Sequence, residues 1–361
     1  MYVTSVTVHE LIGIPKVRRL LAVSDLGLAL CSKNRIPTAT NMKYSIGIDL
    51  GGTNIKGGLL TTDGKLSCRT VVSTHVNDGA KAIAARIAQT IQQVITEVDK
   101  VTHQNGDSKK EIIGIGLGSP GLIVAGSGII HFSPNFPGWT DIPLLDYVSY
   151  ELGDLGIPLY IDNDVNVMVL GELHHGAGIG YENIVGLTIG TGVGGGVVIN
   201  RKVYHGSWNT AGELGHTVVQ PNGRKCGCGN QGCLEAYAGA RHIVERTQQQ
   251  IIEGRKTCLN PEGLTPKQIA EAAAVGDELA QDIFAETGKY IGIALTSIAH
   301  ILNPQIAIIG GGIAAAGEDL LFQHIREEFK RRTMDIPGEM EIVPAKLGNE
   351  AGLVGAAMLP Y

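Results

Sequence analysis

Apolar residues along this chain fall into short blocks separated by glycine and polar residues, a pattern typical of buried strands that alternate with helices. The blocks predicted to be strands are 44–49, 57–60, 68–73, 112–118, 157–164, 184–190, 194–200 and 305–310. Helical spacing of apolar residues predicts helices over 80–98 and 278–302, and a terminal helix from Glu350. This alternation predicts an α/β fold.

Two parts of the chain repeat one order of elements, namely a strand, a glycine-rich turn that contains threonine, and a second strand. The first copy covers 44–60 and the second covers 184–200. Such a duplication predicts two α/β lobes that face a cleft. We place the smaller lobe at 43–160, completed by a C-terminal helix at about 346–361, and the larger lobe at 161–345.

The first 42 residues do not share the regular pattern. A basic pair comes late in this segment, and Asp25 interrupts its apolar run, which makes a poor secretory signal. The strand pattern begins only at Lys43, directly after Met42. We interpret 1–42 as an atypical, non-native extension from a misassigned start codon, and we expect a chain that begins at Met42 to fold and function.

The two glycine-rich turns read DLGGTNIKGG (49–58) and IGTGVGGG (189–196). Glycine lets backbone N–H groups point at a phosphate, and the threonine hydroxyl adds a donor. One such turn alone is usually a plain turn, and neither fits the Walker or Rossmann pattern, but their pairing in two similar halves is more specific. The candidate phosphate-binding residues are Asp49, Gly51, Gly52, Thr53, Asn54, Lys56, Gly190, Thr191, Gly192 and Gly194.

Two further features extend this nucleotide site. Asp49 ends its strand and is placed to hold Mg²⁺ through water, because this cation keeps several of its waters. A third turn, IGGGI, contains Gly310, Gly311 and Gly312 and lets an adenine lie against a strand end. These features predict that Mg²⁺ binds together with a nucleotide.

A cluster of soft ligands lies between 216 and 233. His216, Cys226, Cys228 and Cys233 supply one imidazole and three thiols within a short stretch, which is enough for a closed tetrahedral zinc site. A disulfide between Cys226 and Cys228 would be strained, and it would be out of place in a cytosolic chain. We therefore predict a structural zinc ion, on a loop that has no other evident anchor.

A polar cluster, Asp162, Asn163 and Asp164, ends the strand at 157–164. A carboxylate at this position has two possible roles. It can cap the helix that follows, or it can act as a general base in the cleft. The residues alone leave both open.

Composition excludes several classes of protein. The chain has 361 residues, of which 50 are glycine without a collagen-like period, and its net charge is −6 without a long Lys/Arg run, which argues against a nucleic-acid or membrane surface. Six unevenly spaced cysteines do not form a disulfide framework, and no apolar stretch reaches about 20 residues. We expect a cytoplasmic enzyme.

Two stretches carry a resemblance to a known family. AGELGH…CGCGNQGCLE (211–235) and LTIGTGVGGGVVINRKVYHGSWNTAGELGH (187–216) resemble the signature of the ROK family of bacterial sugar kinases and repressors, and within it the glucokinases look most similar. The glycine-rich turns resemble the phosphate 1 and phosphate 2 loops of the actin, Hsp70 and sugar-kinase superfamily, and IGGGI resembles its adenosine motif. The resemblance covers about Lys43 to the C-terminus, and it implies a two-lobed actin-like ATPase (ribonuclease H-like) fold with an interlobe cleft.

The resemblance also implies an activity and its residues. It implies ATP-dependent phosphorylation of the 6-hydroxyl of glucose, with Asp164 as the base, because IDNDVN (161–166) is similar to the family's catalytic segment. Asp162 stands where glutamate is common. The residues implied to contact or enclose the sugar are Asn135, Asn163, Glu213, His216, Glu235 and Gly121.

Two alternatives remain within this family. One is a kinase for N-acetylglucosamine or N-acetylmannosamine, since the hydroxyl-binding residues are shared. The other is a sugar-responsive repressor, which in this family carries a helix-turn-helix domain before the first phosphate loop, and residues 1–42 show no paired helical periodicity. We expect small-molecule partners only, assembly into a homodimer or homotetramer, and ATP contacts that are independent of the cysteine loop.

Overall fold

The computed structural model describes residues 43–105, 111–124 and 126–361. The predicted extension at 1–42 lies outside the described residues. In chain order the strands are β1 (Lys43–Leu50), β2 (Asn54–Thr61), β3 (Leu66–Ser73), β4 (Glu111–Ser119), β5 (Leu122–Val124), β6 (Ile129–Phe132), β7 (Thr140–Pro143), β8 (Leu159–Asn163), β9 (Ile184–Ile189), β10 (Val193–Ile199), β11 (Lys202–Val203), β12 (Ile306–Gly310) and β13 (Glu341–Pro344). Among these described residues, no helix is both long and apolar enough to cross a bilayer.

The α-helices surround and connect the sheets. They are α1 (Ala80–Asn105), α2 (Leu144–Leu152), α3 (Asp164–His175), α4 (Glu235–Ala238), α5 (Ala240–Ile252), α6 (Pro266–Ala274), α7 (Glu278–Leu302), α8 (Gln323–Arg332) and α9 (Ala351–Met358). The helix predicted at 278–302 is confirmed as α7, whose N-terminus is capped by Asp277 through a 3.0 Å hydrogen bond from the Ala280 amide.

The first sheet has the strand order β3-β2-β1-β4-β8. Strand β1 pairs antiparallel with β2 and parallel with β4, and β4 pairs parallel with β8. Ile46 and Ile48 of β1 are fully buried, as expected for a strand covered on both faces. Because the three parallel strands end at the same edge, Asp49, Ser119 and Asn163 lie along that edge.

The second sheet repeats this arrangement with the order β11-β10-β9-β12-β13. Strand β9 pairs antiparallel with β10 and parallel with β12, as β1 does with its neighbours. The repeated strand–turn–strand pattern in the sequence therefore corresponds to equivalent positions in two similar sheets. Helices α4, α5, α6 and α8 pack on α7 or on one another beside this sheet.

Helices α3 and α9 join the two sheets. Helix α3 follows β8 of the first sheet without a break and packs on β9 and β10 of the second sheet. Helix α9 packs on α3 and on β1 and β4. The two helices approach so closely that a Cβ at Gly355 would lie 1.5 Å from the Val167 carbonyl oxygen. Strand β8 continues to Asn163, three residues past the lobe boundary that we placed at 160.

A small sheet, β5-β6-β7, lies between β4 and α2. Its strands are three or four residues long, and the apolar pattern did not predict them. The turn before β7 is fixed by Phe136 and Trp139, whose rings stack with centroids 4.3 Å apart and are almost fully buried. This turn carries Asn135.

Candidate active site and metal centre

Asn163 ends β8 and caps helix α3. Its Oδ1 accepts hydrogen bonds from the Val165 amide at 2.8 Å and the Asn166 amide at 3.3 Å, while its Nδ2 donates to the Gly121 carbonyl at 3.0 Å. The structure therefore gives the capping role to Asn163 and not to Asp164, for which the sequence left that reading open. Asp164 is the first residue of the helix, and its Oδ1 accepts a 3.0 Å hydrogen bond from the Val165 amide.

The environment of Asp164 raises its pKa to about 6. Burial is the main cause, the negative charge of Asp49 adds to it, and the charge of Glu213 adds a smaller part, against opposing hydrogen bonds from the local backbone. Asp49 ends β1 of the first sheet, whereas Glu213 belongs to the loop after the second hairpin. Asp164 therefore lies between the two halves of the chain, as a carboxylate poised to accept a proton near neutral pH.

Asp162 links the end of β8 to the second half of the chain through His205, a residue that the sequence analysis missed. Its Oδ1 accepts a hydrogen bond from Asn166 Nδ2 at 2.9 Å, and its Oδ2 lies 2.7 Å from His205 Nε2. The pKa of His205 is raised, chiefly by this hydrogen bond. His205 lies within the signature stretch 187–216, but no periodicity or metal spacing marks it, and only the fold brings it to Asp162.

A small open pocket lies beside these residues. Of the predicted sugar residues, Gly121, Asn163 and Glu213 line it, together with Asp162, Asn166, Gly195, Asn209, Thr210 and Ala211 among others. The predicted Asn135 is exposed on its turn and does not line this pocket, and neither do the predicted His216 and Glu235. The lining is mostly polar, as expected of a site for a polyhydroxylated ligand.

The first glycine-rich turn joins β1 to β2 and is shorter than predicted, because β2 begins at Asn54. Its Gly51 amide donates to the Asn54 carbonyl at 2.9 Å, and its Gly51 carbonyl accepts the buried Thr74 hydroxyl at 2.7 Å. Lys56 Nζ lies 3.0 Å from Asp49 Oδ2. Gly52 and Thr53 face solvent at the tip. One partly exposed carboxylate beside an exposed turn fits a cation that keeps most of its waters.

The second turn joins β9 to β10 and contains Gly190, Thr191 and Gly192. Gly190 donates its amide to the Gly192 carbonyl at 2.9 Å, and Thr191 faces solvent. The third turn, at 310–312, follows the neighbouring strand β12, and the Ile313 amide just after it donates to the Ile189 carbonyl at 3.0 Å. The structure thus brings the second and third turns together at one edge of one sheet.

The predicted zinc ligands lie together. One nitrogen or sulfur atom from each of His216, Cys226, Cys228 and Cys233 falls within 4.8 Å of the other three. The Cys228 and Cys233 sulfur atoms are 3.7 Å apart, and His216 Nδ1 is 3.6 Å from Cys226 Sγ. A zinc tetrahedron with bonds of about 2.3 Å has edges of about 3.8 Å, so this set fits zinc. His216 Nε2 points the other way and lies 3.9 Å from Glu213 Oε2.

The loop that carries these cysteines has more anchors than the sequence analysis expected. Cys233 pairs with Val218 in an isolated antiparallel bridge, and Cys226 and Cys233 are buried in the core of the second half. The Tyr237 hydroxyl accepts the Arg224 amide at 2.9 Å. The expectation that the loop lacks other anchors was wrong, because its backbone ladder and buried sulfur atoms are not visible in its composition.

Comparison with known proteins identifies the group to which this arrangement belongs. The sequence profile of the ROK family matches residues 45–360. The glucokinase of Thermotoga maritima is 38% identical over 87% of this chain and 96% of its own length.

Solved structures agree with this. The ROK hexokinase of Thermus thermophilus superposes with a TM-score of 0.73 at 30% identity, over 87% of this chain and 97% of that one. The ROK family glucokinase of Streptomyces griseus, solved with glucose and AMPPNP, superposes with a TM-score of 0.71 at 32% identity, over 88% of this chain and 98% of that one.

Proposed function

This chain belongs to the ROK family, and we propose that it is a glucokinase, which transfers the γ-phosphoryl group of ATP to the 6-hydroxyl of glucose. The observation that carries the proposal is the position of Asp164, a carboxylate with a raised pKa between a glycine-rich turn and a polar pocket. The fold of the chain is the two-lobed α/β fold of the actin-like ATPases, as the sequence predicts.

Asp164 is the general base in this proposal. The 6-hydroxyl oxygen forms a bond to the γ-phosphorus, the bond from that phosphorus to the β,γ-bridging oxygen breaks, and ADP leaves with the electron pair. The hydroxyl proton goes to the Asp164 carboxylate. A pKa of about 6 suits this role, because the group is ionised at neutral pH and still basic enough to accept a proton.

The glycine-rich turns bind the nucleotide. Exposed amides and the Thr53 and Thr191 hydroxyls donate to the phosphates, and the third turn at 310–312 lies against adenosine. Asp49, oriented by Lys56, would hold the divalent metal that accompanies ATP, and Mg²⁺ suits a site with one carboxylate and several waters. The metal supplies neutralisation of phosphate charge.

In this proposal the sugar lies in the polar pocket, in contact with Gly121, Asn163 and Glu213, which line it. Asn135, His216 and Glu235, which do not line the pocket, complete the set inferred from the family. Asn135 reaches the sugar only if its exposed turn moves toward the pocket on closure. His216 and the three cysteines would hold a structural zinc ion, which would fix the tautomer of His216. If Nδ1 binds the metal, Nε2 carries the proton and donates toward Glu213 or a sugar oxygen.

The proposal includes two lobes. The smaller lobe is formed by 43–160 together with 346–361, and the larger lobe by 161–345. Strand β8 crosses the boundary between them, since it ends at Asn163. We also propose that the protein is cytoplasmic and assembles into a homodimer or homotetramer. Light scattering coupled to size-exclusion chromatography measures the assembly directly.

Coupled ADP release tests the function, with glucose, mannose, N-acetylglucosamine and N-acetylmannosamine as acceptors. We expect the highest kcat/KM for glucose. A higher kcat/KM for either N-acetyl sugar would transfer the assignment to that alternative, and sugar binding without ADP release from any acceptor would favour the repressor. An Asp164→Asn control in the same assay separates this activity from that of contaminating kinases.

A further inference from the structure

Glu235 makes contacts that its inferred role in sugar binding does not explain. It begins α4, two residues after Cys233, and is partly buried. Its Oε2 accepts a 3.0 Å hydrogen bond from the backbone amide of Val193, which follows the second glycine-rich turn. Its Oε1 lies 3.5 Å from Cys226 Sγ. One carboxylate therefore contacts both the cysteine cluster and the phosphate turn.

The turn is fitted closely around this carboxylate. A Cβ atom at Gly192 would lie 2.3 Å from Glu235 Oε2, closer than real atoms approach. A larger residue at this position would therefore displace the carboxylate from the turn, quite apart from any need to approach a phosphate. The Glu235 carboxylate thus packs directly against the backbone of the turn.

The backbone that follows Glu235 holds the same turn at a second place. The Ala240 amide donates to the Gly190 carbonyl at 2.8 Å, and a Cβ at Gly239 would lie 3.1 Å from the Thr191 carbonyl oxygen. The segment from Glu235 to Ala240 thus borders the turn along its whole length. It begins directly after the last cysteine, so the position of the cysteine loop and that of the turn are linked through a few residues.

These bonds also decide which amides of the turn remain for a ligand. Gly190 donates within the turn, and Val193 donates to Glu235. In the part of the chain that the structure describes, the amides of Thr191 and Gly192 donate to no acceptor. Holding Val193 restricts the peptide groups next to it, which include those that carry the two remaining amides.

We propose that Glu235 is a positioning residue for the nucleotide: through Val193 it fixes the second glycine-rich turn and couples that turn to the cysteine loop. This rests on the proposed function, in that the turn binds ATP phosphates. It also revises the expectation that nucleotide contacts are independent of the cysteine loop, because Glu235 joins the two.

The test measures AMPPNP–Mg²⁺ binding by calorimetry, without sugar, on the full chain with its metal content checked. Glu235→Ala removes the acceptor, and we expect the Kd for AMPPNP to rise about tenfold. Glu235→Gln retains a carbonyl oxygen of similar reach for Val193, and we expect its Kd to stay within about twofold of wild type. The matched control is Glu213→Ala, which removes a carboxylate that lines the pocket and should weaken glucose but not AMPPNP.

A double-mutant cycle isolates the contact and does not depend on the sugar site. Gly192→Ala places a methyl group against Glu235, and we expect it to weaken AMPPNP about fivefold or more in the wild type but much less in the Glu235→Ala background, where the obstruction is gone. Amide hydrogen exchange at Val193 should rise in Glu235→Ala and remain protected in Glu235→Gln.

Several outcomes would overturn the proposal. These are an unchanged AMPPNP Kd in folded Glu235→Ala, an equal loss in Glu235→Gln, or fully additive effects of Glu235→Ala and Gly192→Ala. If Glu235→Ala does not fold, the comparison of Glu235→Gln with Gly192→Ala decides, and an unaffected Gly192→Ala counts against the role. Absence of AMPPNP binding in the wild type would instead contradict the proposed function itself.

Discussion

The first and second glycine-rich turns occupy equivalent positions in two similar sheets, yet they are held by different parts of the chain. The first is fixed by its own lobe, since the Thr74 hydroxyl, directly after β3, donates to the Gly51 carbonyl. The second is fixed from outside its hairpin, by the Glu235 carboxylate and the Ala240 amide. The local motif is the same, but the support comes from the neighbouring strand in one case and from the metal-loop region in the other.

This difference shows that two equivalent turns of a duplicated fold can be held by residues that are not equivalent. Changes in the cysteine loop reach the second turn through Glu235. Among the described residues, no comparable hydrogen bond joins that loop to the first turn, whose supports Thr74 and Lys56 lie in the first sheet or next to it. The predictions below test this asymmetry, beginning with the residue that depends on both halves.

Asp164 is the residue on which charges from both halves of the chain act, and its loss should have the largest effect. Asp164→Asn removes the base and should lower kcat about 10²–10⁴-fold, with glucose binding retained. The variant should also be more stable at neutral pH, by up to about 3 kcal/mol, because folding raises the carboxyl pKa from 3.8 to about 6 and so opposes its ionisation.

Stopped assays of ADP formation, calorimetry with glucose and chemical denaturation measure these three quantities. Asp319→Asn, at an exposed carboxylate, is the control. If Asp164→Asn kept more than about a tenth of the wild-type kcat, the assignment of the base would be wrong.

Cys228→Ala should separate the two turns. Loss of one thiolate removes the metal, whose binding contributes on the order of 10 kcal/mol in structural sites, and so loosens the loop. We expect glucose affinity to fall at least tenfold and AMPPNP affinity several-fold. Hydrogen exchange should rise at Gly190–Val193 and stay unchanged at Gly51–Asn54.

Metal analysis should give about one zinc per chain in the wild type and little in Cys228→Ala. Cys258→Ala, at an exposed cysteine outside the cluster, is the matched control. Equal increases of exchange in both turns would contradict the asymmetry, and a zinc-free Cys228→Ala protein with normal glucose binding would contradict the structural role of the metal.

The pH dependence of kcat/KM and of stability tests whether groups from both halves of the chain raise the pKa of Asp164. Below pH 6 the base is protonated, so kcat/KM should fall about tenfold per pH unit. Because the folded-state pKa is raised, this group makes the protein more stable as the pH falls from 7 toward 5, opposite in sign to the activity. Carbon-13 NMR of labelled aspartate should give the titration directly in the nucleotide-free protein.

The Asp164→Asn spectrum identifies the resonance, and Asp49→Asn should lower the pKa of Asp164, since the charge of Asp49 is the second cause of the shift. A titration midpoint below about pH 5 in the wild type would contradict the burial of this carboxyl group.

Thr74→Val sharpens the comparison from the side of the first turn, with the smallest effect. The substitution keeps the shape of a fully buried side chain but leaves the Gly51 carbonyl without its hydroxyl donor, which costs about 1 kcal/mol. We expect AMPPNP to bind two- to fivefold more weakly and glucose to bind normally. Thr74→Ser keeps the hydroxyl and should behave as wild type, and a loss of glucose affinity equal to that for AMPPNP would argue against independent support.

The sequence by itself determined the elements that have a strong period and the residues that have a fixed spacing. The strands around Asp49 and Thr188, helix α7 and the ligand set from His216 to Cys233 were all predicted, because continuous apolar runs and close-set cysteines are local signals. It also predicted the duplication, since two similar sheets require two similar strand patterns. Short strands such as β5–β7 carry weak patterns and were missed, and so were the helices around α7, all of which are shorter than α7.

The tertiary structure decided which of these residues meet. His205 reaches Asp162 across 43 positions of sequence, and Glu235 reaches Val193 across 42. It also assigned the helix cap to Asn163 and raised the pKa of Asp164, because capping depends on backbone angles at one residue and desolvation depends on everything packed around it. Contacts between distant segments and the loss of water around a charge are properties of the assembled fold, and no local pattern encodes them.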